Sequence, residues 1–180
     1  TEMHESLSST ELKRLHREWR KQTNRKIAVI IVGVQGPYNI GSIIRTAAAE
    51  RIDHIWFTEG ATTPLNPKTG KTALGTDRYI QWTEIANANE AIDLARSHGY
   101  KVVGLELASH SIPIHDANFS DNICLLIGHE DRGIPSALLE QCDFVTFIPQ
   151  LGKIGSLNVS IAASIGLYEI RRQEWSQNNY

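Results

Sequence analysis

The sequence predicts an α/β fold, a mostly parallel sheet flanked by helices, and three observations carry that expectation. Ile27 to Val34 is a nearly unbroken apolar run rich in β-branched residues, the pattern of a strand buried on both faces. From there strand-like and helix-like segments alternate toward the C-terminal end, the order that crossovers between parallel strands require. Glycine-bearing loops follow predicted strands at Gly33 and Gly36, at Gly128 and Gly133, and at Gly152 and Gly155. In parallel sheets ligands collect beyond the carboxyl ends of strands.

Taken in order, the first element is an amphipathic basic helix. Between Glu11 and Lys26 stand Lys13, Arg14, Arg17, Arg20, Lys21, Arg25 and Lys26 against Glu11 and Glu18, with Leu12, Leu15 and Trp19 at helical spacing. Residues 1–26 are therefore read as a basic helical extension and 27–175 as the main domain. After the Ile27 strand, a helix is expected from Ile40 to Glu50, with Asn39 able to cap it, and a short strand over His54 to Thr58. Glu84 to His98 has helical periodicity and stops at Gly99, ahead of a strand over Lys101 to Leu107. Asn122 to Gly128 and Phe144 to Ile148 read as further strands, with a short helix around Pro135 to Gln141 between them. The last helix runs from about Asn158 to Arg172, with Ser156 as its natural cap and Val159, Ala162, Ala163, Gly166, Leu167 and Ile170 on its buried face. Open amides at that helix start suit a ligand carrying oxygens.

One long connection interrupts this rhythm. Gly60 to Arg78 holds Pro64, Pro67, Gly70 and Gly75 beside Lys68, Lys71 and Arg78, and its length marks a functional or mobile loop. Gly70-Lys71-Thr72 resembles the end of a phosphate-binding loop, but Leu65 stands where that motif needs its first glycine.

Composition narrows the class. At 180 residues the chain suits one well-packed domain, and 41% hydrophobic with 21% charged residues is the balance of a soluble globular protein. No apolar run reaches the length of a membrane span and the N-terminus has no signal-peptide core, so a cytoplasmic location is expected. Cys124 and Cys142 have no metal-like spacing and read as core thiols. His110, His115 and Asp116 share one loop without supporting ligands, so no metal is expected. A net charge of −2 argues against a surface covered in cations, which leaves the basic helix as either a solvated helix packed on the domain or a local RNA-facing element.

Three motifs then fall into one pattern. They are Asn39-x-Gly41-x-x-x-Arg45, Gly128-x-Glu130-x-x-Gly133-Ile134-Pro135, and Ile148-Pro149 with Ser156-Leu157-Asn158-Val159-Ser160. In order and spacing this set resembles the SpoU (TrmH) family of RNA ribose 2′-O-methyltransferases, within the SPOUT superfamily, over the stretch from Ile27 to Arg172. The resemblance implies a C-terminal deep trefoil knot, a homodimer with active sites near the subunit interface, S-adenosyl-L-methionine as cofactor and tRNA or rRNA as substrate. It makes Asn39, Arg45, Glu130, Ser156 and Asn158 the polar active-site set, and places the cofactor against Leu105, Leu107, Gly128, Ile148 and Leu157, largely through backbone groups. Arg14, Arg17, Arg20, Lys21, Lys68, Lys71 and Arg78 become the RNA-binding cations. Arginine does not readily lose a proton, so Arg45 is read as a phosphate clamp and a stabiliser of the developing alkoxide rather than a base. Two positions depart from the family pattern: His129, where a small or amide residue is common, and Ile154-Gly155, where a bulkier pair is frequent. The competing reading is a non-catalytic RNA-binding protein with the same fold, which the intact polar set disfavours.

Overall fold

A computed structural model describes residues 3–178. Among them a single seven-stranded sheet is assembled in the order β3-β2-β1-β6-β4-β7-β5, with every pairing parallel. The elements run α1 (Ser9–Lys21), β1 (Ile27–Val32), α2 (Pro37–Ala49), β2 (His54–Thr58), α3 (Gly70–Ala73), β3 (Trp82–Glu84), α4 (Ala88–Ser97), β4 (Lys101–Leu105), β5 (Ile112–Pro113), β6 (Ile123–Ile127), α5 (Ser136–Leu139), β7 (Phe144–Phe147) and α6 (Val159–Asn178).

The apolar run at the start of β1 is explained by its place in the sheet. It pairs with β2 on one side and β6 on the other, and all six residues are buried. Ile27, Val29 and Ile31 face a core shared with Ile40, Ile43, Ile44, Leu167 and Ile170 of α2 and α6. Ala28, Ile30 and Val32 face a second core with Ala88, Ala91, Ile92 and Ala95 of α4. Burying each such isoleucine contributes roughly 2–3 kcal/mol, so the centre of the sheet carries much of the stability.

Several boundaries differ from the sequence reading. Helix α2 begins at Pro37, whose fixed φ suits the first helical position, so Asn39 lies inside the first turn and does not cap it. The helix expected from Glu84 starts only at Ala88, capped by Asn87 through Glu90 N, because Trp82–Glu84 pairs with β2 as an edge strand. Helix α6 is capped by Asn158, not Ser156: Asn158 Oδ1 accepts from Ser160 N at 2.9 Å and Ile161 N at 3.2 Å. The open amides expected at that helix start are thus occupied at Ser160 and Ile161.

The segment from Gly60 to Arg78 has local structure of its own. It folds into two 3₁₀ turns, Pro67–Thr69 and Thr76–Tyr79, flanking α3, all packed on α2. Gly41 makes that packing possible, since a Cβ there would collide with Thr72 Oγ1 and the Thr69 carbonyl. Helix α1 stands apart. A capping box joins Ser8 and Glu11, yet no residue of α1 is buried, and Leu12, Leu15 and Trp19 are exposed along one side. It is tethered at its C-terminal end, where Trp19 packs edge-on against Trp175 and Trp175 Nε1 donates to Thr23 Oγ1. The same region is fixed by Glu174, which accepts from Asn24 N and Arg25 N, and by Arg171, 4% exposed, whose guanidinium donates to the carbonyls of Glu50, Arg51 and Arg25.

Candidate active site

The carboxyl ends of β4, β6 and β7 open onto a cavity of about 400 Å³. Its walls include Leu105 at the end of β4, Glu106 and Leu107 after it, Gly128 to Gly133 after β6, Ile148 and Gln150 after β7, and Ser156 and Leu157 before α6. All five residues named for the cofactor, Leu105, Leu107, Gly128, Ile148 and Leu157, therefore meet in one place, with Glu130 and Ser156 of the polar set. Gly128 has to be glycine, because a Cβ would run into the backbone of Gly133 and Ile134. That close approach closes the turn, in which His129 N donates to Gly133 O at 3.2 Å and Gly133 N to His129 O at 2.9 Å. His129 reinforces it: Nδ1 accepts from Asp131 N and Arg132 N, so the unusual residue at this position braces the loop.

Two polar contacts join the three motifs. Glu130 accepts from Gly36 N at 2.7 Å and from Gln35 N at 3.1 Å, tying the second motif to the loop before α2. Burial works against its ionisation, but the backbone amides of Glu130 itself, Gly36 and Gln35, with His129 nearby, outweigh that and hold the carboxyl below its ordinary range. Asn158 Nδ2 donates to Asn39 Oδ1 at 3.0 Å, tying the third motif to the first. With its oxygen engaged, Asn39 keeps an amide N–H that finds no acceptor among the described residues, a donor available to a substrate oxygen.

Arg45 lies elsewhere. It is exposed, does not touch Glu130, and lines a second groove with Ser42, Thr46, Lys71, Thr72, Ser160 and Ser164. Helix α6 divides the two spaces: Val159 and Ala162 face the cavity, while Ser160, Ile161 and Ser164 face the groove. Arg45 makes no hydrogen bond or ion pair with the described residues, which leaves its guanidinium free for an external anion. The other predicted cations are exposed too: Lys68 and Lys71 on the segment over α2, Arg78 with its guanidinium over the Tyr79 ring, and Arg14, Arg17, Arg20 and Lys21 along α1.

Two residues escaped the sequence reading. Glu106 accepts from Ile134 N at 2.7 Å and places a carboxylate in the cavity wall, between the two leucines that were named. Gln150 Oε1 is buried at the same wall without a hydrogen-bond partner. An orphaned acceptor, an adjacent carboxylate and apolar walls from Leu105, Ile148 and Leu157 fit a ligand with an amino group and an aromatic or thioether body. Their signal in sequence was only proximity to predicted strand ends.

The profile of the SpoU rRNA Methylase family matches residues 26–168. The chain belongs to this family. Among its relatives, the 23S rRNA (guanosine-2′-O-)-methyltransferase RlmB of Acinetobacter baylyi is 36% identical over 141 residues, 78% of this chain and 57% of RlmB. An AdoMet-bound rRNA methyltransferase from Sinorhizobium meliloti superposes with a TM-score of 0.78 at 27% identity, covering 92% of this chain and 70% of the other. The SpoU methyltransferase AviRb of Streptomyces viridochromogenes, in complex with AdoMet, gives 0.77 at 29% identity, covering 86% and 62%. The chain spans 57% of the length of RlmB, and the three family motifs all fall within the matched part. Among the described residues no helix is long and apolar enough to cross a membrane, and no cluster of three His, Cys, Asp or Glu side chains is placed to hold a metal.

Proposed function

We propose that this chain transfers a methyl group from S-adenosyl-L-methionine to a ribose 2′-hydroxyl in RNA, tRNA or rRNA, in the cytoplasm. The observation that carries the reading is the pair of ties around one cavity, Glu130 to Gln35 and Gly36 and Asn158 to Asn39, which bring the three family motifs together at the strand ends. Leu105, Leu107, Gly128, Ile148 and Leu157 would hold the cofactor, with Gln150 Oε1 and Glu106 offering acceptors to its amino groups. When bound, it supplies an electrophilic methyl on a sulfonium.

The chain's own residues then have separate tasks. Ser156 and the free amide of Asn39 orient the ribose, Asn158 fixes Asn39, and Glu130 fixes the loop from which α2 starts. A ribose hydroxyl is a weak nucleophile, so in-line placement supplies much of the rate. Arg45, from the groove across α6, clamps a neighbouring phosphate and stabilises charge on the oxygen as its proton passes to water.

Two further features belong to this reading. The loop from Glu106 to Ser111 joins β4 to β5, and β7 lies between those strands, with Thr146 opposite both Leu105 and Ile112. A chain leaving β7 beneath that short bridge would be threaded through it, and this arrangement supports the C-terminal trefoil knot. Helix α6 is apolar on two sides: Ala163, Leu167 and Ile170 face the core, while Ile161, Ile165 and Tyr168 are exposed at helical spacing. An exposed apolar strip beside the core face calls for a second covering surface, and this supports a homodimer through the α6 face, on the side where Arg45 opens. We assign 27–175 to the methyltransferase domain and 1–26 to an RNA-binding extension.

The test is cofactor binding by protein alone. Calorimetry should show S-adenosylmethionine or its demethylated product binding in the absence of RNA, because the implied contacts belong to this chain. No heat and no thermal shift at millimolar cofactor would sink the proposal. Mass spectrometry of nucleosides from cells lacking the protein then identifies the methylated position.

The extension has its own test. Replacing Arg14, Arg17, Arg20 and Lys21 by alanine should weaken RNA binding and flatten its salt dependence by up to about 3 in log–log slope, at roughly 0.7–0.9 per phosphate contact, with cofactor affinity unchanged. An unaltered slope would assign α1 to packing.

A further inference from the structure

Tyr38 is the second residue of α2, directly before Asn39, and it is 49% exposed while the neighbouring Ile40 is fully buried. Its place is fixed from outside the helix: Thr72 Oγ1 donates to the Tyr38 carbonyl at 2.8 Å, which docks α3 against this turn. Lys71 Nζ stands 6.0 Å from the ring centroid, at the outer limit of a cation–π contact, so the ammonium flanks the ring and does not cover it closely. Lys71 also lines the groove that holds Arg45. An exposed aromatic face, an ammonium and an unpaired guanidinium are thereby set side by side within two turns of the residue that Asn158 grips.

Core packing does not account for the ring, and its hydroxyl finds no partner among the described residues. The chemistry that does match is an unpaired nucleobase. A ribose that enters the cavity has to be drawn out of a stacked strand, and the base beside it then loses a stacking neighbour. An aromatic side chain can replace that neighbour for any base, since every base has a π face, while cations beside it neutralise the intervening phosphate.

We infer that Tyr38 is a base-stacking residue, receiving an unpaired base next to the methylated nucleotide, with Lys71 and Arg45 on the phosphate between them. This rests on the RNA methyltransferase reading and adds a substrate class, single-stranded or loop RNA.

The full chain is tested with a 12-nucleotide single-stranded RNA of mixed sequence carrying 2-aminopurine, and with the same sequence in a duplex. The wild-type protein should bind the single strand and quench the fluorescent base. Tyr38→Ala should weaken that binding about tenfold and abolish the quench while duplex affinity stays unchanged, and Tyr38→Phe should remain within about twofold of wild type. Lys71→Ala should lower the salt slope by roughly one and keep the quench. On an unmethylated RNA that the wild-type protein methylates, Tyr38→Ala should raise KM much more than it lowers kcat. Wild-type affinity and quench in Tyr38→Ala would overturn the inference and leave the methyltransferase reading standing. If the wild-type chain binds neither RNA form nor cofactor, the underlying reading fails and this inference with it.

Discussion

Replacing Arg45 by alanine is expected to slow single-turnover methylation about a hundredfold or more, while fold, oligomeric state and cofactor affinity stay nearly unchanged. The side chain is exposed, forms no bond with the described residues and lines a groove separate from the cofactor cavity, so its removal costs little packing. The role proposed for it is confined to the phosphate and the developing charge on the ribose oxygen, where one well-placed donor is worth on the order of a hundredfold in rate. Arg45→Lys is the sharper comparison. Lysine keeps the charge and loses the planar fork, so a phosphate clamp should survive only in part, whereas a surface ion pair would survive almost fully. Wild-type rates in Arg45→Ala, with the variant shown to be folded, would remove this residue from the site.

Arg171→Ala should be the most damaging single change to stability. Its buried guanidinium donates to three backbone carbonyls, those of Glu50, Arg51 and Arg25, which close α2 and the segment leading into β1. Burial pulls its pKa below the ordinary arginine value, opposed by Glu174, Asp53 and Glu50, and the charge is held because those carbonyls and carboxylates surround it. Truncation leaves the carbonyls unpaired and Glu174 without its nearby cation, at roughly 3–5 kcal/mol in all. For a chain of this size that is a fall in Tm of about 6–20 °C, read by thermal or urea unfolding. Arg171→Lys should recover a minor part, since one ammonium cannot span three acceptors. A loss below about 1 kcal/mol would show that solvent replaces the contacts.

Much of this was legible in the chain, for identifiable reasons. Ile27–Val32 reads as a central strand because both its faces are apolar, and each of the three motifs is legible because it follows a strand that is apolar enough to read. Edge strands were not legible. Trp82–Glu84 is three residues long with a single apolar side chain, and Ile112–Pro113 is two residues long; each owes its pairing to a neighbour, β2 or β7, and not to its own pattern. The local turns of the Gly60–Arg78 segment were not legible because turns of three or four residues lie below any periodicity, and its docking depends on the absent side chain at Gly41. Ser156 looked like the helix cap because it precedes an apolar run, but Asn158 sits two residues closer and has both a carbonyl to cap with and an amide to give Asn39. The separation of Arg45 from the cofactor cavity was invisible for a similar reason. Linear distance places it near Asn39, and only the intervening turn of α6 parts the two spaces.

The position of β1 also dictates the timing of folding. Its partner on one side, β2, follows within a few tens of residues, but the other, β6, begins with Ile123 opposite Ile27, which is 123 − 27 = 96 residues later. At a ribosomal pace of roughly 5–20 residues per second, the β6-facing edge of Ile27–Val32 remains unpaired for about 5–20 seconds after it is made. A six-residue, β-branched, uncharged strand with an open edge is the kind of segment that associates with other chains. Nascent or refolding protein should therefore be most prone to aggregate before Ile123–Ile127 arrives, and the lysines and arginines just upstream, from Lys13 to Lys26, stand where charge can hold neighbouring chains apart in that interval.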